Sequence, residues 1–274
     1  MQTKIINLLL KLYYQVLCGL SYKVVVFEGF LRERLIKIGA PKNKVITISH
    51  GVHEVKNAPS KNSARKKLGL PRDDFVVLCF GFLIWYKGSD FIVDAFRNKS
   101  KKEDMKLIMA GGESNVHKND PAYRSYMSKL YEMAKFGGNR VKITGFLKEE
   151  EISLYFAACD LVILPYRVLI SASGPLSFAI THKKPFIISK ALVGYSNSKD
   201  FNNGLDYAKL NIEDISFELD GESVINKIRD FKNSPSLLER GEKFSHYLYS
   251  KRNWTEVGRL YKEVVVTPPA QSLW

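Results

Sequence analysis

Two short stretches of the sequence could bind an anion. Lys87-Gly88 ends a loop after an apolar run and precedes the helix-like segment SDFIVDAFR, and Ser173-Gly174 lies in the turn SASG between the apolar runs VILPY and FIIS. A lysine pairs with phosphate as a point charge, and free N–H groups at the start of a helix favour negative charge. Both stretches are therefore candidate phosphate sites. The alternatives are a solvated surface lysine and a buried turn that needs no charge.

The charges near the SASG turn favour the second candidate. Asp160 and Asp200 have no Asp or Glu between them, whereas several basic residues lie in this interval. An anion over the turn would therefore meet no acidic neighbour in sequence, and no repulsion from one. The basic residues are Arg167, Lys183, Lys184, Lys190 and Lys199.

Glycines and a histidine mark further loops where a ligand could lie. In open α/β sheets, ligands bind beyond the carboxyl ends of the strands. The loops after the apolar runs contain Gly81, Gly112 and the segment Gly145-Phe146-Leu147, and glycine lets the backbone approach a ligand closely. His50-Gly51 follows another short apolar run, although a lone histidine in a turn more often has a structural role.

Several common catalytic motifs are missing. The sequence contains no GxxxxGK[ST], GxGxxG, HExxH or GxSxG pattern. These absences argue against an ordinary ATPase, dehydrogenase, zinc protease or α/β-hydrolase. The residues imply neither a metal nor a cofactor, and they identify no catalytic group.

The composition describes a folded protein with a strong positive charge. The chain has 274 residues, of which 45% are hydrophobic and 26% charged, which suits one large or two modest domains. A net charge of +14 favours polyanions such as nucleotides, nucleic acid or anionic lipid, but no nucleic-acid motif accompanies it. Three widely spaced cysteines, Cys18, Cys79 and Cys159, predict buried thiols in a reducing compartment, hence a cytoplasmic protein.

Apolar runs alternate with helix-like segments from Phe75 onward. The runs FVVLCFGF, MKLIMAG, RVKITGF, LVILPY and FIIS are apolar nearly throughout, and segments of helical periodicity separate them. Such a pattern is typical of parallel strands that helices cover on both faces. The sequence therefore predicts an α/β fold, a Rossmann-like doubly wound parallel sheet with flanking helices at both termini.

The N-terminal segment MQTKIINLLLKLYYQVLCGLSY is too polar to span a membrane and lacks a signal-peptide cleavage pattern. Its spacing predicts an amphipathic helix. We expect this helix to pack into the core, and the alternative is attachment to a membrane surface through its basic residues. At the other end, TPPAQSLW is expected to fray. The predicted apolar face consists of Ile5, Leu8, Leu9, Leu12, Val16 and Leu20.

The order of these segments resembles the C-terminal, nucleotide-sugar-binding half of the GT-B fold retaining glycosyltransferases of glycosyltransferase group 1. FGFLIWYKGSDFIVDAF is similar to that family's "fG.ir.yKG.d.li.Af" segment. VKITGFLKEEEISLYFAACDLVILPY is similar to "v...gfv..eel..ly..aDvvvlPy", and SASGPLSFAITHKKPFIIS to "tqSGv..lA...gkPvia". The KVVVF to SHGVHE segment and RNWTEVGRLYKEVV resemble the family's bridge and final helix. Several motifs in the expected order make the resemblance specific.

The resemblance implies an enzyme of glycan biosynthesis that transfers a hexose, with retention, from a UDP- or GDP-sugar to a glycan or lipid-linked acceptor. It places Lys87, Gly88 and Gly81 near the donor diphosphate, and Ser173 and Gly174 near phosphate or sugar. It places the Gly145-Phe146-Leu147 loop against the base. It also places Gly112 and His50-Gly51 at the cleft. The alternative is a catalytically degenerate relative that acts as a binding or scaffolding protein at a partner or an anionic membrane.

The sequence departs from the family pattern in three places. Many members carry two glutamates where this chain has Ile170 and Phe178, and the second usually binds the donor ribose. The arginine expected before Lys87 is missing. The N-terminal GT-B domain is expected to be largely absent, so that a protein partner or self-association through the terminal helices is implied.

The resemblance also divides the chain into four expected parts. These are a remnant of the N-terminal domain and bridge at 1–53, a linker at 54–71, the nucleotide-sugar domain at 72–240, and the C-terminal helix and tail at 241–274.

Overall fold

The computed structural model describes residues 2–99 and 104–266, without the side chains of residues 2–5 and 7. The segment expected to fray at the C-terminus lies outside this part of the chain, as does the side chain of Ile5. A small unit comes first. It contains helices α1 (Gln2–Leu20) and α2 (Gly29–Lys37) and the parallel strands β1 (Val24–Val26) and β2 (Val45–Thr47).

A six-stranded parallel sheet forms the main body and confirms the predicted fold class. Its order is β5-β4-β3-β6-β7-β8, so the chain starts in the middle, builds one side and then crosses to the other. Ligand crevices form where the strand order reverses, which here is between β3 and β6. The strands are β3 (Phe75–Phe80), β4 (Met105–Ala110), β5 (Val141–Ile143), β6 (Leu161–Leu164), β7 (Phe186–Ser189) and β8 (Ser216–Phe217).

Helices cover both faces of the sheet and continue past it. Several helices begin after a short polar residue that caps them. Ser60, Asp120, Ser173 and Ser234 each accept a hydrogen bond from a backbone N–H in the first turn. The helices are α3 (Lys61–Leu68), α4 (Ser89–Lys99), α5 (Pro121–Phe136), α6 (Glu149–Ala158), α7 (Gly174–Thr181), α8 (Lys199–Ala208), α9 (Ile212–Ile215), α10 (Gly221–Asn233), α11 (Pro235–Arg252) and α12 (Trp254–Val266). The expected domain boundary after residue 240 falls within α11.

The main core lies on both sides of the central strands. Val76, Val77 and Leu78 of β3 are fully buried, because neighbouring strands and helices enclose them on every side. All three cysteines are buried free thiols, as predicted. Burial raises the pKa of the Cys79 thiol to about 12 and that of Cys159 to about 11, so both stay neutral.

Helix α1 does not pack into the core as expected. Only its C-terminal end is anchored, through buried Cys18 and a hydrogen bond from Gln15 Nε2 to the Ile38 carbonyl at 2.5 Å. The prediction of a core-packed face is therefore wrong for the described side chains, because nothing in the described chain covers them. The exposed members of that face are Leu8, Leu9, Leu12, Val16 and Leu20. No helix in residues 2–99 or 104–266 combines the length and apolarity needed to cross a membrane.

A buried ionic cluster joins the small unit to the main body. Arg252, at the end of α11, donates to both carboxylate oxygens of Asp200, at 2.6 and 3.2 Å. Its Nη1 lies 3.5 Å from Glu28, just before α2. Ser198 donates to Glu28 at 2.9 Å and accepts from the Gly29 N–H at 2.7 Å. The start of α2, the start of α8 and the end of α11 thus share one charge network.

Candidate functional site

A crevice of about 280 Å³ opens where the loops after β3, β4, β5 and β6 converge. Its position at the reversal of strand order is where α/β sheets bind ligands. Among the residues that the structure describes, the lining has no carboxylate and one charged side chain, that of Lys87. The lining residues are Phe80, Gly81, Phe82, Lys87, Ala110, Gly111, Gly112, Phe146, Leu147, Ile152, Gly174, Pro175 and Phe178.

A larger cavity, about 630 Å³, lies elsewhere, at the outer strand β5. It reaches Lys106, Leu107 and Ile108 in the first half of β4 and the residues around Gly138. It contains none of the residues singled out by the sequence. We base the candidate site on the smaller crevice because the carboxyl ends of the strands and a cation meet there.

Lys87 is held inside the crevice by the turn that carries it. Residues Trp85–Lys87 form one 3-10 turn, which Gly88 ends in the left-handed conformation with φ of 71°. The Lys87 Nζ lies so close to Gly81 that a Cβ there would be 3.1 Å away, and Gly81 itself has φ of 106°. Glycine at both positions therefore lets the amine enter the crevice.

The Lys87 amine has no anionic partner among the described residues. Within them its Nζ makes no hydrogen bond or ion pair, and its nearest aromatic contact is the Phe82 ring centroid at 5.9 Å. Burial lowers the pKa of Lys87, an effect that the nearby Cys79 partly opposes. A desolvated ammonium without a counter-charge is costly. An anion in the crevice would remove that cost.

The N-terminus of α7 faces the same space but offers few donors. Ser173 is buried and its hydroxyl is already used, since it caps the Leu176 N–H at 3.4 Å and bonds with the Tyr166 hydroxyl at 3.0 Å. Pro175 has no N–H. Gly174 lies in the crevice lining with open space where a Cβ would be, and no partner of its N–H appears among the described residues.

Three of the five basic residues expected near the SASG turn have partners elsewhere. Arg167 pairs with Asp90, and Lys190 with Glu218 at 2.7 Å. Lys184 donates to the Ala157 and Cys159 carbonyls. The absence of acids in the local sequence thus did not predict the local charge, because carboxylates from distant segments reach these cations. Among the described residues, Lys87 is the cation that the crevice retains.

The inner wall of the crevice is aromatic. Phe178 lies 4.9 Å from Phe80 and 6.0 Å from Phe156, centroid to centroid. The His182 ring stacks on the Phe156 ring, with the centroids 4.6 Å apart and an interplanar angle of 8°. Hydroxyl groups of a ligand would find no carboxylate acceptor on this wall.

The remaining predicted residues divide into two groups. Gly112 and the Phe146-Leu147 pair line the crevice, and a Cβ on Gly112 would come within 2.7 Å of the Phe146 nitrogen. Phe146 is exposed, while Gly145 shapes the loop with φ of 77° and does not itself line the crevice.

His50 and Gly51 lie outside the crevice lining and pack on Trp254 instead. The His50 ring is 5.9 Å from the Trp254 ring, and a Cβ on Gly51 would be 2.5 Å from it. Among the described residues their contacts are with the Trp254 ring, and a place at the cleft stays a prediction for both.

The stacked His182 predicts a pH-dependent stability. Burial, with Lys184 nearby, lowers the pKa of His182 from 6.5 to about 4, so the folded protein keeps it neutral while the unfolded chain protonates. The stability should therefore be complete above pH 6.5 and fall on acidification toward pH 4, by about 1 kcal/mol per pH unit. Urea unfolding of wild type and His182→Phe at successive pH values measures this. The free energy of unfolding of wild type should fall relative to that of His182→Phe as pH falls. A difference between the two that does not change with pH would contradict the prediction.

The fold and the crevice define a class of protein, an α/β domain with a candidate ligand crevice at the switch point of a parallel sheet, to which the described residues contribute one lysine and no carboxylate. In the described part of the chain, no group of three His, Cys, Asp or Glu side chains could hold a metal ion.

Comparison with known proteins narrows this class. The family model described as glycosyl transferases group 1 matches residues 60–216. The match covers more than half of the chain, and the protein belongs to this family.

Individual relatives are similar at low identity. A lipopolysaccharide 1,2-N-acetylglucosaminetransferase of Salmonella typhimurium is 23% identical over 248 residues, which cover 88% of this chain and 61% of that protein. Anabaena HepE, crystallised with UDP and glucose, has a TM-score of 0.70 and 18% identity over 93% of this chain and 67% of its own.

A third similarity concerns a domain rather than a whole enzyme. The C-terminal domain of a group 1 glycosyl transferase from Francisella tularensis has a TM-score of 0.51 and 16% identity, covering 72% of this chain and 92% of that one. The chain spans less than two thirds of the length of the curated relatives that it matches.

Proposed function

We propose that this chain binds the diphosphate of a UDP- or GDP-sugar in the crevice and transfers the glycosyl group, with retention, to a glycan or lipid-linked acceptor. The observation that carries the proposal is Lys87, a partly buried cation with no anionic partner among the described residues, in a crevice to which the described chain contributes no carboxylate. HepE, whose fold is similar, was crystallised with UDP and glucose, and this supports a nucleotide-sugar donor.

Charge that develops on the leaving diphosphate explains why a cation would help. When the bond between the sugar carbon and the diphosphate oxygen breaks, negative charge accumulates on the diphosphate. A positioned ammonium, aided by the Gly174 N–H, stabilises that charge more than it stabilises the intact donor. The acceptor hydroxyl oxygen forms the new bond to the sugar carbon, and its proton passes to the departing diphosphate, which keeps the electron pair of the broken bond. The acceptor site is proposed to come from residues outside this chain, in a partner or a further domain.

A thermal-unfolding screen with UDP, GDP and their sugars tests donor binding. A nucleotide present at 100 times its dissociation constant should raise the free energy of unfolding by about 2.7 kcal/mol, since it binds only the folded protein. Uridine and guanosine serve as controls because they lack the diphosphate and should have little effect. If millimolar nucleotide leaves the melting temperature unchanged, the chain does not bind these donors.

A second candidate function is binding at an anionic membrane surface, which the exposed face of α1 favours. No Asp or Glu precedes Glu28, while Lys11 and Lys23 flank the exposed leucines and tyrosines. An amphipathic helix of this kind lies in the lipid interface, and nearby cations attract anionic head groups.

Vesicle sedimentation tests this second candidate. The protein should sediment with mixed phosphatidylglycerol and phosphatidylcholine vesicles and not with phosphatidylcholine alone, and Val16→Glu should abolish the effect. If the same amount of protein stays in the supernatant with both kinds of vesicle, binding to an anionic membrane is excluded. Concentration-dependent association without lipid would assign the face to self-association instead.

A further inference from the structure

Arg167 and Asp90 form a two-pronged ion pair beside the crevice. Arg167 lies in the loop after β6 and Asp90 in the first turn of α4. The two guanidinium Nη atoms donate to the two Asp90 oxygens at 2.7 and 2.9 Å. The Arg167 and Asp90 side chains are 21% and 27% exposed, so the pair is partly shielded from water. Paired N–H donors in this planar geometry give direction as well as attraction.

Arg167 of this pair also contacts the turn that carries Lys87. Arg167 Nη1 also donates to the Trp85 carbonyl at 2.6 Å, and the Arg167 backbone N–H donates to the Tyr86 carbonyl at 2.8 Å. Its guanidinium lies over the Trp85 ring at 4.9 Å. Arg167 thus holds the two residues before Lys87, while its partner Asp90 lies three residues after it.

The loop after β3 and the loop after β6 also approach each other closely at Gly88. Gly88 lies so near Pro165 that a Cβ would be 1.9 Å from the Pro165 carbonyl oxygen. The loop that begins at Pro165 continues to Ser173 and Gly174, at the start of α7. The same contact therefore relates the Lys87 turn to the second element of the crevice.

We propose that Arg167 and Asp90 are positioning residues that fix the Lys87 ammonium over the crevice for a diphosphate. Arg167 does not supply the charge itself, because Asp90 neutralises it and the Trp85 carbonyl accepts a further hydrogen bond from its guanidinium. The proposal rests on the proposed function only in naming diphosphate as the ligand of Lys87. The placement of Lys87 by the ion pair is a property of the protein without ligand.

A double-mutant cycle tests the dependence of Arg167 on Lys87. UDP affinity is measured by calorimetry for wild type, Lys87→Ala, Arg167→Gln and the double variant. Arg167→Gln should weaken UDP binding about tenfold, and adding it to Lys87→Ala should cause no further loss, since interacting residues are non-additive. Asp90→Asn should behave like Arg167→Gln. Independent, additive losses would overturn the proposal.

Two further variants separate positioning from general damage. Arg167→Lys should fail to restore affinity, because an ammonium cannot make the paired contacts. Arg97→Gln removes the other Arg–Asp pair of α4, in which Arg97 lies 2.8 Å from Asp94, and should leave UDP affinity unchanged. Circular dichroism and melting curves of each variant show whether it is folded.

A measurement without nucleotide keeps the two proposals distinguishable. Competitive labelling with acetic anhydride across pH, read by mass spectrometry, reports the titration of Lys87 in the free protein. Arg167→Gln should expose the amine and raise its pKa toward the ordinary value of lysine, whereas Arg97→Gln should not. An unchanged Lys87 titration in Arg167→Gln would overturn the positioning role. If this shift occurs and wild type binds neither UDP nor GDP, the positioning role stands and the proposed donor falls.

Discussion

Replacing Lys87 by alanine is expected to weaken UDP or GDP binding by about tenfold or more. Of the described side chains that line the crevice, Lys87 carries the charge, and hydrogen bonds to charged groups contribute about 1.5–3 kcal/mol each. The shape of the crevice should survive, because Lys87 makes no hydrogen bond or ion pair within the described residues. Calorimetric titration of nucleoside diphosphates into wild type and variant measures the effect.

Two controls define the interpretation of Lys87→Ala. Lys142→Ala removes an exposed lysine of β5, away from the crevice, and should leave affinity unchanged. The corresponding nucleosides, which carry no phosphate, should bind both proteins alike. If Lys87→Ala binds UDP as tightly as wild type does, the amine does not contact the diphosphate and the proposed site is wrong.

The largest effect on stability is expected from Arg252→Met. Arg252 is 3% exposed, and its removal leaves Glu28 and Asp200 without their counter-charge in a buried setting. Breaking a buried ion pair from one side typically costs about 3–5 kcal/mol. Urea unfolding should show a loss of this size. Arg259→Ala, which removes an exposed arginine of α12 paired with Glu256 and Glu263, should change stability little.

The loss in Arg252→Met should shrink at acid pH. In wild type, burial opposes ionisation of Asp200, yet Arg252 and hydrogen bonds keep its pKa below the ordinary value, and this contribution to stability is lost as pH falls through it. Burial raises the pKa of Glu28 despite Arg252. Without Arg252 both carboxylates lose the positive charge that favours their ionised form, so the variant should recover relative to wild type as pH falls from neutrality toward the ordinary carboxyl range. A deficit independent of pH would contradict this account.

Much of the local structure was predictable from the sequence. Five of the six strands of the main sheet appear where the predicted apolar runs occur, because such runs can be buried on both faces, whereas the two-residue β8 was not predicted. Helix starts follow Ser60, Asp120 and Ser173, whose short polar side chains satisfy nearby N–H groups. Lys87-Gly88 stands out by its place after a strand and before a helix. All of these features depend on residues only a few positions apart.

Features that depend on distant residues were missed or mistaken. The sequence did not reveal that Asp90 neutralises Arg167, or that Glu28 and Asp200 meet at Arg252, because these partners lie far apart in the chain. His50-Gly51 was expected at the cleft but packs on Trp254. Helix α1 was expected in the core but is exposed over most of its described length.

The sequence by itself determined the element order, the parallel α/β class and the turn that carries Lys87. Periodicity, caps and glycines act within a few residues, so they are written locally. Only the tertiary structure decided the strand order that joins the Lys87 turn to the start of α7. It also decided which nearby cations enter ion pairs or contact carbonyl groups. Lys87 is the cation that remains in the crevice within the described chain. Charge pairing and lateral strand order depend on contacts between remote segments, and a crevice that retains one unpaired cation within the described chain exists only after those contacts have formed.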